Sequence, residues 1–328
     1  MNYRRLGRTG LRISELAFGC GRSGGILIDP DDDTKRRAVR LALEHGINWF
    51  DTAPQYGQGK SEEALGWLLE EIDERPHVST KVMIGADDLD DIAGRVERSL
   101  HDSLRRLRRD SVDLLQLHNR IDANASNRAI TAAHVLGPGG VAEGMERLRD
   151  QGLIRFMGLT ALGGNRETRK VIDSGRFDTA QVYYNMINPS AARDAMPARW
   201  SGFDSTGIMA ACRARDMGIM AIRIFAASYL ASPVRTGRES ILTTDTDPES
   251  ESGMAEAVFA ALGDANGSRA QTAVRFVLSN PDVSTAIVGL AEPSHLDEAV
   301  AAAGMGPLPA TALDRLEALY ESGFKAAG

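Results

Sequence analysis

Short apolar runs punctuate the chain at regular intervals. They fall at 16–20 (LAFGC), 48–53 (NWFDTA), 77–82 (HVSTKV), 113–119 (DLLQLHN), 154–160 (IRFMGLT), 179–185 (TAQVYYN), 219–225 (IMAIRIF) and 285–290 (TAIVGL). Several are almost wholly apolar, as parallel strands covered on both faces are. Helical periodicity lies between them. In 88–107, Leu89, Ile92, Val96, Leu100, Leu104 and Leu107 recur at steps of three and four and mark one helix face. In 61–75, Ser61 is placed to cap a helix that buries Ala64, Leu65, Leu68, Leu69 and Ile72. In 34–46, Gly46 is a natural C-terminal stop. Eight strands alternating with helices predict a (β/α)8 TIM barrel, one domain spanning 1–328. The competing doubly wound sheet needs a GxGxxG turn after its first strand. Here that strand runs into GCGRSGG, 19–25, which lacks the full fingerprint. The segment YRRLGRTGLRIS predicts an N-terminal β-hairpin that plugs the barrel bottom. Links 120–140, 186–205 and 226–256 are long and follow strands, so they are expected at the C-terminal face, around a site. The last is rich in Ser, Thr, Asp and Glu and is expected to be mobile.

Composition narrows the function. The chain has 328 residues, 43% hydrophobic, and a net charge of −7. That supports a large core, and without a basic stripe it argues against nucleic-acid binding. The two cysteines, Cys20 and Cys212, belong to no CxxC pair, so neither a disulfide framework nor a metal cage is expected. The N-terminus lacks the apolar core of a signal peptide, and the most apolar stretch is interrupted by Arg223. The expectation is a cytoplasmic protein without a membrane partner. Oligomeric state leaves no signal.

Candidate chemistry gathers at strand ends. Asp51 and Tyr56 follow the second strand in WFDTAPQYG, Lys81 ends the third in STK, and His118 ends the fourth in QLHN. Each alone reads as a cap, a loop aromatic, a rim lysine or a core histidine. Four on one rim form a proton-delivery group. A phenol near pKa ~10 is a poor acid at neutral pH, and a neighbouring ammonium is expected to lower it. A carboxylate keeps that ammonium charged, and a neutral histidine orients a carbonyl oxygen. A hydride from a nicotinamide is the natural complement at carbon.

These segments, with YRRLGRTGLRISELAFGCG, GLIRFMGL, QVYYN and IVGLAEPSHLDEAV, resemble the aldo-keto reductases over nearly the whole chain. The resemblance implies an extended nicotinamide cofactor, NADP or NAD, bound without a Rossmann motif. It implies Tyr56 as proton donor, tuned by Lys81 and Asp51, with His118 orienting a small carbonyl or sugar substrate. It places Thr160 and Gln181 at the nicotinamide carboxamide. The family's Asn is replaced by Ala161, for which Asn165 is a possible substitute or else a helix cap. Ile224 stands where an aromatic commonly stacks on the ring, and Phe225 is favoured for that role. Arg223 is a candidate partner of the pyrophosphate. At the adenosine end the matching residues are Gly289, Leu290, Glu292, His295 and Glu298, where Lys, Ser and Arg are common. The two glutamates suit NAD better than the 2′-phosphate of NADP, although backbone amides at a helix N-terminus are an alternative grip. Substrate-lining candidates are Trp49, His118 and Tyr184, with Trp200 a further one. Three alternatives stay open: an aldose 1-dehydrogenase running oxidatively with NAD, a nucleotide-binding regulatory protein with little turnover, and a Schiff-base lyase using Lys81.

Overall fold

The computed structural model describes residues 1–21, 24–200, 202–235, 237 and 247–324. Strands β1 (Tyr3–Arg5) and β2 (Arg12–Ser14) pair antiparallel. Parallel strands β3 (Leu16–Gly19), β4 (Trp49–Asp51), β5 (His77–Val82) and β6 (Val112–Leu117) follow. A short parallel ribbon, β7 (Arg120–Ile121) with β8 (Ala129–Ile130), lies above β6 in the chain. Strands β9 (Ile154–Ala161), β10 (Thr179–Tyr183), β11 (Gly218–Ile222) and β12 (Val283–Gly289) complete the set. The eight long strands close into a barrel in chain order, with β12 pairing back onto β3. The closure rules out the open doubly wound sheet, and every predicted apolar run coincides with a barrel strand. These strands are buried almost throughout, which is why they lack polar alternation.

The hairpin plugs the bottom, as its pattern predicts. Leu6 and Ile13 are fully buried with Ala17, Trp49, Leu114, Met220 and Ile287 in a cluster inside the barrel. Gly7 sits at φ +45°, where an added Cβ would meet the Gly218 backbone at 2.2 Å, so only glycine allows this approach. Arg4 stitches the hairpin to the last strand through the carbonyls of Leu278, Asn280 and Val283.

The helices follow their local signals with one exception. Helix Asp32–Glu44 is capped by the Asp31 side chain on Thr34 N, and the chain leaves it through Gly46 at φ +79°. Helix Ile92–Leu107 is capped by Asp91 and buries the predicted stripe except Leu89, which precedes it and is half-buried. Helix Lys60–Glu70 departs from expectation. It starts at Gly59, at φ +93°, with no side-chain cap, and it ends at Glu70, so Ile72 lies beyond it. Ser61 lies inside the helix. Its hydroxyl donates to the Cys20 carbonyl at 3.0 Å and lies 2.8 Å from Thr52 Oγ1, linking the ends of β3 and β4.

The long links lie where the strand polarity puts them. Link 120–140 holds the β7–β8 ribbon and helix Ala132–Leu136. Link 186–205 holds a 3-10 turn at Ser190–Ala192. Link 226–256, expected to be mobile as a whole, runs into helix Pro248–Leu262, and its residues 236 and 238–246 lie outside the described residues. Among the described residues no helix is long and apolar enough to cross a membrane.

Candidate active site

Parallel strands end together, so residues at their C-terminal ends meet around one mouth. Asp51 is the last residue of β4, Lys81 is next to last in β5, and His118 follows β6 directly, its N–H donating to the Val82 carbonyl at 2.8 Å. Tyr56 lies in the turn after β4. There Gly57, Gln58 and Gly59 all take left-handed conformations (φ +62°, +57° and +93°) and bring the chain back into the next helix.

The four predicted residues come together. Lys81 is fully buried, and its Nζ donates to Asp51 Oδ2 at 2.6 Å and to the Thr52 carbonyl at 2.8 Å. The same nitrogen lies over the Tyr56 ring, 4.7 Å from its centroid. The Tyr56 and His118 rings meet edge to face at 5.8 Å. Gly21, at the end of the β3 loop, faces the phenol: a Cβ there would stand 3.8 Å from the Tyr56 hydroxyl.

Three residues at the site are missing from the set read in the sequence: Ser79, Gln116 and Gln55. Asp51 Oδ1 accepts from Ser79 Oγ at 2.7 Å, Gln181 Nε2 at 2.8 Å and Gln116 Nε2 at 3.0 Å. Ser79 and Gln116 lie two residues before Lys81 and His118, so the period of two along a strand aims them at the same interior. That spacing was available to find them. Gln55 is the third. Its Oε1 lies 3.1 Å from His118 Nδ1, a turn contact that no strand period reveals.

The electrostatics qualify the expected acid. Burial alone would depress the Lys81 ammonium, but the Asp51 carboxylate and the Tyr56 phenol outweigh it and hold it above the usual lysine range. Burial pushes the Tyr56 phenol up, and the downward pull of Lys81 does not overcome it, with Asp51 adding to the rise. The expected lowering is therefore corrected. With Asp51 at 2.6 Å, the phenol faces a paired ammonium and not a lone cation. Tyr56 keeps its proton at neutral pH. Burial, with Lys81 and Arg128, pushes His118 down to about 3, so the ring is neutral.

Two substrate-lining candidates are misplaced. Trp49 is fully buried in the lower cluster, its indole N–H donating to Ser79 Oγ at 3.0 Å, so it supports Asp51 from below. Tyr184 points outward and stacks on Phe276 at 5.1 Å. Alternation decides this: Gln181 faces in, so Tyr183 does too and Tyr184 cannot. Tyr183 packs on Phe203 at 5.8 Å, and its hydroxyl lies 3.1 Å from Glu251 Oε1. Trp200 is half-buried.

The cofactor candidates differ in their surroundings. Thr160 and Gln181 stand side by side in register, and the buried Thr160 Oγ1 has no hydrogen-bond partner. An orphaned buried hydroxyl beside an amide suits a carboxamide. Asn165 is the first residue inside a helix whose cap is Gly164, and its Nδ2 donates to the Thr206 carbonyl at 2.8 Å. Arg223 already has a counter-ion, Glu251 Oε2 at 3.3 Å, and lies over the Tyr183 ring. Ile224 is buried and Phe225 is half-buried against the main core. At the far end of the mouth Gly289 is exposed, and Glu292 starts helix Pro293–Gly304 without a side-chain cap. Leu290 is buried, His295 Nδ1 accepts from Ala291 N, and Glu298 accepts from Ser268 Oγ at 2.5 Å.

Comparison with known proteins agrees with the geometry. The model of the aldo/keto reductase family matches residues 15–321. L-galactose dehydrogenase of Arabidopsis thaliana is 28% identical over 310 residues, 92% of this chain and 88% of that protein. An aldo-keto reductase of Bacillus halodurans, solved in its holo form, superposes with a TM-score of 0.73 at 24% identity, covering 100% of this chain and 97% of the other. One from Klebsiella pneumoniae, solved in complex with NADPH, gives 0.70 at 21%, covering 98% and 95%. The last two show likeness of fold.

Proposed function

The chain belongs to the aldo/keto reductase family, and on that premise we propose that it is an NAD(P)-dependent oxidoreductase interconverting a small carbonyl compound and its alcohol. One observation carries the reading: Tyr56, Lys81, Asp51 and His118 converge at the C-terminal mouth, with the phenol over the ammonium and beside a neutral imidazole. His118 holds the substrate oxygen and Tyr56 hands it a proton as negative charge develops there. The Lys81 ammonium, held charged by Asp51, stabilises the phenolate left behind. A bound nicotinamide would supply the hydride to carbon, with Thr160 Oγ1 and Gln181 holding its carboxamide.

We also propose that NAD is accepted. Glu292 and Glu298 line the segment where a 2′-phosphate would need cations, and nearby Arg269 is taken up in a fork with Glu256 at 2.7 and 2.8 Å. The likeness to L-galactose dehydrogenase over 92% of the chain favours a sugar or sugar-like substrate, oxidised with Tyr56 as base.

Absorbance of reduced nicotinamide, followed with NADH or NADPH and a panel of aldehydes and sugars, tests the reading. Tyr56→Phe should lose roughly 10²–10⁴-fold in turnover with the cofactor still bound. Full turnover by that variant would remove Tyr56 as the acid.

A further inference from the structure

A carboxylate that the mechanism does not use is buried behind the site. Glu62 lies in the first turn of helix Lys60–Glu70 and is fully buried. Its Oε1 accepts from Thr80 Oγ1 at 2.5 Å, and its Oε2 accepts from Arg106 Nε at 2.7 Å. Burying a carboxylate is costly unless charged and polar partners offset it, and an apolar side chain would fill the same space without that cost. What the paired carboxylate adds is direction, because charge-assisted hydrogen bonds are short and tolerate little displacement.

The groups it joins are those that place the phenol against the ammonium. Thr80 precedes Lys81 on β5, and neighbours on a strand face opposite ways, so Thr80 meets the helix while Lys81 faces the barrel interior. Tyr56 is tied to the same helix start: Ser61 N donates to its carbonyl and Lys60 N to that of Gly57, both at 3.3 Å. The Ser61 hydroxyl pins this turn to the ends of β3 and β4. Glu62 adds β5, the strand that carries Lys81. Arg106 closes the far side, its Cδ 2.8 Å from where a Cβ on Gly59 would stand.

We propose that Glu62 is a positioning residue for Tyr56, holding the phenol ring in place over Lys81 Nζ by bonding the helix start to Thr80 and Arg106. A reacting group displaced by about 1 Å costs on the order of 100-fold in rate. The inference rests on the reading of Tyr56 as the acid.

The test centres on Thr80, where Thr80→Val removes the donor, keeps the shape and leaves the Arg106 pair in place. Thr80→Ser restores the hydroxyl. With reduced nicotinamide and an aldehyde, kcat of Thr80→Val should fall roughly 10–100-fold. KM, and the affinity for NADH and NADPH read by fluorescence quenching, should stay at parent values, the split expected when only a transition-state contact is lost. Thr80→Ser should recover most of the rate. Glu62→Gln, which keeps an acceptor for Thr80 but loses the ion pair with Arg106, should fall as well. Carbon NMR of protein labelled at tyrosine Cζ reads the phenol without turnover, its Tyr56 signal assigned by its absence from Tyr56→Phe. That signal should move in Thr80→Val and Glu62→Gln and return in Thr80→Ser. A lower urea midpoint with parent-like kcat and a parent-like Tyr56 signal would mark a purely structural tie and overturn the proposal. So would a loss in Thr80→Val that Thr80→Ser does not restore. Full turnover by Tyr56→Phe would remove the acid, yet the Tyr56 signal would still decide the role of Glu62, so the two readings fail independently.

Discussion

At the scale of single residues, polar side chains at the mouth were legible because each breaks an apolar run at the strand's end. Asp51, Lys81 and His118 stand out in this way. Trp49 and Tyr184 were misread for a different reason: an aromatic beside a catalytic residue looks like pocket lining, but depth and face decide. Trp49 lies a layer below Asp51, and Tyr184 is one residue out of phase with Gln181. The charge state of the proposed acid was also out of reach, since it depends on the burial of the phenol and on Asp51 standing 2.6 Å from Lys81. His118 is held down to about 3 by burial, with Lys81 and Arg128 adding to it, so the ring is neutral through the range around pH 7. A profile of kcat/KM between pH 5 and 8 should show no limb from this ring. A limb near pH 6–7 that disappears in His118→Gln would contradict it.

At the scale of elements, strands were read more accurately than helix starts. Burial on both faces makes a strand a nearly apolar run, and several of the eight carry it. The helix at Lys60–Glu70 shows where this stops. Ser61 has the composition of a cap, yet three consecutive left-handed residues turn the chain earlier and put Gly59 there instead. That turn presents Gln55 and Tyr56 to the site, so its geometry matters to both. A Cβ on Gly59 would meet the Arg106 side chain at 2.8 Å in a conformation that L-residues rarely adopt. Gly59→Ala should destabilise the protein by about 1 kcal/mol or more, read as a lower urea midpoint. It should also weaken catalysis, whereas Gly152→Ala (φ +76°, no neighbouring atoms) should lower stability alone.

At the scale of the whole molecule, the two ends of the barrel divide the labour. The bottom holds a polar trio across three strands: Asp113 Oδ1 lies 2.9 Å from His77 Nδ1 and 2.7 Å from Arg155 Nη1, while Oδ2 accepts from Val78 N at 3.0 Å. Burial would raise the Asp113 carboxyl, but these donors outweigh it and hold it below the usual range. A depressed folded-state pKa stabilises above the unfolded value and ceases to do so as pH falls through the folded one. The contribution should therefore be full above about pH 4 and vanish in more acid solution. Tm measured against pH should drop less steeply below pH 4 in Asp113→Asn than in the parent, from a lower plateau. A parallel acid slope in both proteins would sink this assignment.

The ring closes only where β12 meets β3. Until residues 283–289 leave the ribosome, the earliest strand has one naked flank, and every shorter nascent chain carries an unpaired, strongly apolar border. The hairpin faces the same wait, since Arg4 grips carbonyls at 278–283. Chains cut before residue 283 should accumulate as insoluble material. The eighth barrel strand is thus the latch of the molecule, and its arrival sets the moment at which the mouth first exists.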